Sequence, residues 1–200
     1  MSPTKEHIIL TSFRLFLQRG YKEVTMSMLV KATGLSKGAF YHYFKNKEQL
    51  FSETLNTLFF SISPFSHELE IDSNVSFYEY MYQYIDNIKK MGERIRSYLG
   101  DEASGIGYYR LMLDIANYAP DFREKIELAN KHELNFWQKI VNNGVKKGEL
   151  ENDFDKELLA NHFQWLQDGI AMNSIFSGKP EILYQSLEKA FVQLYQFIKK

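Results

Sequence analysis

No cysteine occurs among the 200 residues. That excludes disulfide scaffolds, thiolate zinc fingers, iron–sulfur clusters and cysteine nucleophiles together, and it suits a reducing cytoplasm. No run of about 18 apolar residues is present either, so no membrane-spanning helix is expected. The start, Met1-Ser2-Pro3-Thr4-Lys5-Glu6, lacks the basic-then-apolar layout of a secretory signal. Prolines number four and glycines eleven, and no β-alternating run of length interrupts the helical spacing of the apolar residues. Catalytic motifs are missing as well. His132-Glu133 opens a zinc-protease pattern, but Phe136 stands where the second histidine belongs. His162 and Asp168 lie six apart and share no helix face, and Gly105-x-Gly107 has neither a third glycine nor a preceding strand. No serine elbow occurs. Neither catalysis, nor a metal, nor a cofactor is expected.

What is present divides unevenly along the chain. Residues 1–50 hold eight Lys/Arg (Lys5, Arg14, Arg19, Lys22, Lys31, Lys37, Lys45, Lys47) against Glu6, Glu23 and Glu48, a net +5. The other 150 residues carry 16 basic and 22 acidic side chains, a net −6. The whole-chain charge of −1 is therefore an average of two opposite parts. A small basic segment on a larger acidic body points to an anionic partner for the first part only. The plain alternative is a fluctuation of solvated surface charge.

Apolar periodicity predicts an all-α chain of about nine helices. Ser2-Pro3 reads as an N-cap and first-turn proline, and Ile9, Phe13, Phe16 and Leu17 form one face of a helix ending at Gly20. Thr25 caps a short helix stopped by Gly34, and Ser36 caps another reaching Phe44. Asn46 with Gln49 starts a longer helix, marked by Leu50, Phe51, Thr54, Leu55, Leu58 and Ile62 and closed by Pro64. Ser66 to Ser73 reads as a loop. A helix from Phe77 to about Leu99 follows, then an irregular stretch holding Gly100, Gly105 and Gly107. Four more helices are expected near 108–118, 121–147, 155–177 and 180–198.

Two short helices joined by Thr33-Gly34-Leu35-Ser36 have the layout of a helix-turn-helix. On a helical wheel Ala39, Phe40 and Tyr43 fall on one side; Lys37, Gly38, Tyr41 and His42 fall on the other. The second side suits a DNA major groove. Lysine reaches phosphate or guanine, glycine allows close backbone approach, and the rings offer edges and hydrogen bonds. Lys47, opening the next helix, adds a positive side chain to a positive helix end, and Thr25 offers its hydroxyl to the other edge of the groove.

These residues also carry a resemblance. Gly20-Tyr21, Thr25, Leu29, the run Ala32-Thr33-Gly34-Leu35-Ser36-Lys37-Gly38-Ala39-Phe40-Tyr41-His42-Tyr43-Phe44, and Lys47-Glu48-Gln49-Leu50 resemble the DNA-binding domain of the tetracycline-repressor (TetR) family. The resemblance covers about residues 5 to 55. It implies a cytoplasmic, all-helical homodimer that binds double-stranded operator DNA, and family habit favours repression over activation. It also implies DNA contacts at Thr25, Ser36, Lys37, Gly38, Tyr41, His42 and Lys47. The implied domains are residues 1–46 (helix-turn-helix), 47–64 (connecting helix) and 65–200 (effector binding and dimerisation). The chain departs from the pattern at Val24, Ser27, Met28 and Tyr43.

Beyond residue 65 the resemblance is one of layout. The helix near 155–177 has two apolar stripes, Leu159, Phe163, Leu166 and Ile170 on one side and Leu158, Trp165, Met172 and Phe176 on the other. A helix apolar on two sides needs two covers. A dimer seam is expected to use Leu159, Phe163 and Leu166 with Leu183, Leu187, Phe191, Leu194 and Ile198 of the last helix. Aromatics reach 16% of the chain, and 20 of the 31 lie beyond residue 65. They suit a pocket for an apolar or cationic small molecule, expected at Tyr80, Tyr84, Tyr108, Met112, Trp137, Trp165 and Met172. The competing reading is a helical interaction or ligand-binding module with no DNA role.

Overall fold

The computed structural model describes residues 1–60, 65, 69–99 and 105–200, without the side chains at 59, 95, 98, 99, 106, 108 and 180. Nine α-helices follow one another among the described residues: α1 Pro3–Arg19, α2 Met26–Thr33, α3 Lys37–Tyr43, α4 Lys47–Thr54, α5 Phe77–Leu99, α6 Gly105–Tyr118, α7 Arg123–Lys146, α8 Lys156–Phe176 and α9 Leu183–Ile198. The all-α expectation is met, and the helix ends explain why it was legible. Ser2, Thr25, Ser36, Asn46 and Asp155 each accept a first-turn backbone N–H through their side chains. The one β-type contact described is an isolated antiparallel bridge, Leu150 with Lys199.

Two boundaries differ from expectation. Helix α4 does not continue evenly to Ile62; it widens into a π-turn at Leu55–Phe59. Thr54 sits fully buried at that junction and its hydroxyl donates back to the Leu50 carbonyl at 2.7 Å, a bond known to bend helices. Ile62, Pro64 and the first part of the Ser66–Ser73 loop lie outside the described residues, as does Gly100. Helix α6 begins at Gly105, so Gly105 and Gly107 are helical rather than irregular. A Cβ on Gly107 would stand 2.9 Å from the Leu17 carbonyl oxygen, so the glycine is what lets α6 lie against the end of α1.

The chain forms two compact units. The first comprises Met1–Ser63 with Arg94–Ile126. Its core joins Ile8, Ile9, Phe13 and Phe16 of α1 to Leu29 of α2, Phe40 of α3 and Leu50 and Phe51 of α4, and is completed by Leu111 and Ile115 of α6 with Ala119 and Phe122. The second comprises Pro64–Glu93 with Glu127–Lys200. There Phe77, Met81 and Tyr84 of α5 pack with Phe136, Trp137 and Ile140 of α7, Leu159 and Phe163 of α8, and Leu187 and Phe191 of α9. The first unit is thus discontinuous in sequence: residues 94–99 and 105–126 group with the N-terminal helices.

Candidate nucleic-acid interface

Helices α2 and α3 are too short to be stable alone, and what fixes them is buried anchors and caps. Leu29, Phe40 and Phe44 are fully buried or nearly so. The Thr25 hydroxyl accepts from Met28 N at 3.2 Å, and the Ser36 hydroxyl from Ala39 N at 3.2 Å. Between the helices Gly34 takes φ +67°, the left-handed conformation that turns the chain sharply. The His7 ring nitrogen bonds the Thr33 carbonyl at 3.0 Å, tying the turn to α1. Asn46 caps α4 through Gln49 N at 2.8 Å, and the Gln49 side chain returns a bond to Lys45 N at 2.9 Å. This is a capping box displaced by one residue at its returning arm.

With the anchors inward, Thr25, Ser36, Lys37, Gly38 and His42 are exposed together, and Tyr41 is half-buried. Lys37 Nζ stands 6.0 Å from the centre of the Tyr41 ring, and Lys45 Nζ donates to the Tyr41 carbonyl at 2.8 Å. Gly38 has no heavy atom within 4 Å of where a Cβ would lie, so its surface is open. Ala39 is exposed rather than inward as the wheel implied. Helix α3 docks through Phe40 and Phe44, i and i+4, which leaves the position before Phe40 on the outer side. Tyr43 is half-buried, with its hydroxyl accepting weakly from Ser2 at 3.4 Å.

Lys47 is held within the fold. Its Nζ donates to the carbonyls of Tyr21 and Val24, both at 2.8 Å, and lies 4.2 Å from the Tyr21 ring centre. Tyr21 is the hub of this corner. Its hydroxyl donates to Glu48 at 3.1 Å and its backbone N–H to Asp114 of α6 at 2.7 Å. Arg110 of α6 donates to the Gln18 carbonyl. Burial first, and then Glu48, push the Tyr21 hydroxyl up to about 12, so it remains a donor throughout the physiological range. The Gly20-Tyr21 pair was visible in the sequence, but its partners on α6, some 93 positions away, were not.

The residues expected to line a pocket are divided between the two units. Tyr80, Tyr84 and Trp137 are buried in the second unit, whereas Met112 is half-buried in the first. Trp165 and Met172 are 55% and 45% exposed on α8. The Tyr108 side chain lies outside the described residues. The seam expected between two chains needs the opposite correction. Leu159, Phe163, Leu187, Phe191 and Ile198 are buried in this chain's own core, Leu166 and Leu194 are half-buried beside it, and Leu183 is half-buried. The stripe left open on α8 is the other one: Leu158, Trp165, Met172 and Phe176, at 44%, 55%, 45% and 70% exposure. Both stripes have helical spacing, so periodicity alone could not tell which one faces inward.

In the second unit Glu133 is buried, and the Tyr84 hydroxyl donates to it at 2.6 Å. Among the described residues no cluster of three or more His, Asp or Glu is placed to hold a metal, and no helix is long and apolar enough to cross a membrane.

Comparison with known proteins bears on the first unit most closely. A family model described as "Bacterial regulatory proteins, tetR family" matches residues 8–54. YerO of Bacillus subtilis (strain 168), an uncharacterized HTH-type transcriptional regulator, is 48% identical over 50 residues, a quarter (25%) of this chain and 17% of its own length. The chain thus matches well under two thirds of that relative. YhgD of the same organism, also an uncharacterized HTH-type transcriptional regulator, is 26% identical over 156 residues, 78% of this chain and 76% of YhgD. Among solved structures, the reduced form of Escherichia coli NemR superposes with a TM-score of 0.63 at 21% identity, covering 98% of this chain and 97% of that one. That last likeness is one of fold.

Proposed function

We propose that this chain, which belongs to the tetR family of bacterial regulatory proteins and is a transcriptional regulator with a helix-turn-helix DNA-binding unit, acts as a ligand-released repressor. The observation that carries the reading is the outer side of α2–α3. Thr25, Ser36, Lys37, Gly38 and His42 are all exposed while Leu29, Phe40 and Phe44 are buried and hold the two helices in place. The net +5 of residues 1–50 supports the same assignment. Lys37 and Lys47 take phosphate, and Tyr41 and His42 address base edges.

Two such surfaces, one per protomer of a homodimer, would enter successive major grooves about 34 to 36 Å apart and read a pseudo-palindrome. The open stripe of α8 is the face that supports pairing with a second copy. Leu158, Trp165 and Met172 recur at seven-residue intervals, and at Gly169 a Cβ would meet nothing within 4 Å, leaving room for a partner's side chain. A small-molecule effector held in the second unit would release DNA to the extent that it prefers the non-binding state.

The test is retardation of the gene's own upstream DNA across a salt series. Binding that is tight and falls steeply with salt is expected. Tyr41→Ala should weaken binding to that DNA more than to random DNA, and equal losses on both would remove Tyr41 from base readout. A thermal-shift screen then finds effectors, because a ligand of the folded state raises its apparent stability by mass action. Compounds that stabilise the protein should also release it from the retarded complex.

A further inference from the structure

Glu133 sits on α7 within an aromatic interior. Tyr84 of α5, 1% exposed, donates to its Oε1 at 2.6 Å. Gln164 of α8, itself buried, also hydrogen-bonds Glu133, and its Nε2 donates to the Asn130 carbonyl at 3.3 Å. Around this set the Tyr84 ring lies 4.7 Å from that of Trp137, 6.1 Å from Phe136 and 5.8 Å from Phe191 of α9. Among the described residues no lysine, arginine or histidine pairs with Glu133. The charged or titratable groups that bear on it are Tyr84 from α5 and Asp168 from α8, the latter a second negative charge; α9 presents Phe191. The neighbouring His132 turns away to the Phe65 carbonyl at 3.1 Å.

Burying an ionised carboxylate beside a like charge is costly; the Tyr84 and Gln164 hydrogen bonds favour the ionised form, and burial outweighs them. We propose that Glu133 is a proton switch in the packing of α5, α7 and α8: protonated, it belongs to a neutral Tyr84–Glu133–Gln164 set joining the three helices; ionised, it leaves an unpaired charge among aromatic rings and loosens them. Burial is the main reason its carboxyl is lifted from 4.5 to about 7, with Asp168 acting in the same direction. The sign follows from linkage. Between about pH 4.5 and pH 7 the folded chain holds a proton that the unfolded chain has lost, so stability from this group falls as pH rises through that window. The switch is independent of the DNA-binding reading and survives or fails without it.

The chain has two tryptophans, which makes the test direct. Trp165 lies against His162, ring centres 6.0 Å apart, away from the Glu133 set; Trp165→Phe removes its emission and leaves Trp137, beside Tyr84, as the reporter. The emission of the W165F protein should step with a midpoint near pH 7, and its unfolding temperature should fall from about pH 5 to about pH 8. Adding Glu133→Gln should abolish the step and flatten the pH dependence of unfolding. A step retained in the E133Q protein, or none in W165F, overturns the proposal. Difference infrared spectra of the unaltered protein provide a second measurement that requires no variant. A protonated carboxylic acid band appearing near neutral pH is expected; carboxyl bands arising only in the ordinary range, about 4 to 5, overturn it.

Discussion

Lys47 shows how a residue chosen for one role is held by another. Its position at the start of α4 was read as a phosphate contact, and its ammonium in fact bridges two backbone carbonyls, of Tyr21 and Val24. Replacing it with methionine would leave two half-buried acceptors without their donor, at a cost of about 1 to 3 kcal/mol. Lys47→Met should therefore lower the unfolding temperature, and an unchanged melting curve would exclude the bridging role. DNA binding separates the functions: a phosphate contact at Lys47 reduces the slope of log K against log salt by about 1, whereas a purely structural role leaves that slope alone. At this scale Phe40, Leu29 and the caps were readable, since local spacing and side-chain chemistry dictate them. The Tyr21–Asp114 bond was not, because nothing in a sequence marks which of its distant carboxylates returns to a given N–H. Glu133 left a readable trace, an acid set among Ala129, Phe136, Trp137 and Ile140 on one face of α7, though only its neighbours reveal that it lacks a cation.

Helix ends account for most of what was legible at the level of elements. The Ser and Thr caps, the glycine stops and the proline starts fall at the boundaries found in the structure. They do so because orphan N–H and C=O groups at helix ends require them. The misreadings share a physical cause. Helix propensity alone places Gly105 and Gly107 in irregular chain, and tertiary packing of α6 on α1 overrides it. Two substitutions separate the glycine roles. Gly34→Ala should destabilise by about 1 kcal/mol through its left-handed backbone, with α3 intact in the remaining folded protein. Gly107→Ala should do more damage by driving a methyl against the Leu17 carbonyl oxygen at 2.9 Å. Chemical denaturation of the two variants side by side checks the order, and a smaller loss at Gly107 would mean that α6 shifts away at little cost.

For the whole molecule, assembly turns on which stripe of α8 is open. Sequence periodicity offers two equivalent stripes, and Trp137, Phe77 and Phe191 cover the one expected to form the seam, at Phe163, from within the same chain. The remaining stripe exposes Leu158, Trp165 and Met172 on one face of α8, and contiguous exposed apolar residues of this kind mark interaction sites. Met172→Glu should shift the protein toward monomer in sedimentation at micromolar concentration while leaving its helical content unchanged. A dimer unaffected by Met172→Glu and by Trp165→Glu would place the interface elsewhere. The mixed composition of the first unit was beyond a reading in linear segments, because core membership is decided in three dimensions by residues such as Leu111 and Ile115.

That membership has a bearing on biosynthesis. A chain emerging in order from its N-terminus presents α1 to α4 first, yet the wall that closes their core, Leu111, Ile115, Ala119 and Phe122, comes more than fifty residues after the end of α4. Until that segment is made, the nascent DNA-binding helices carry an open apolar face. Their folding is thus delayed until well over half of the polypeptide exists, and a chain interrupted before that point would emerge as prey for chaperones and proteases rather than as a free DNA-binding fragment.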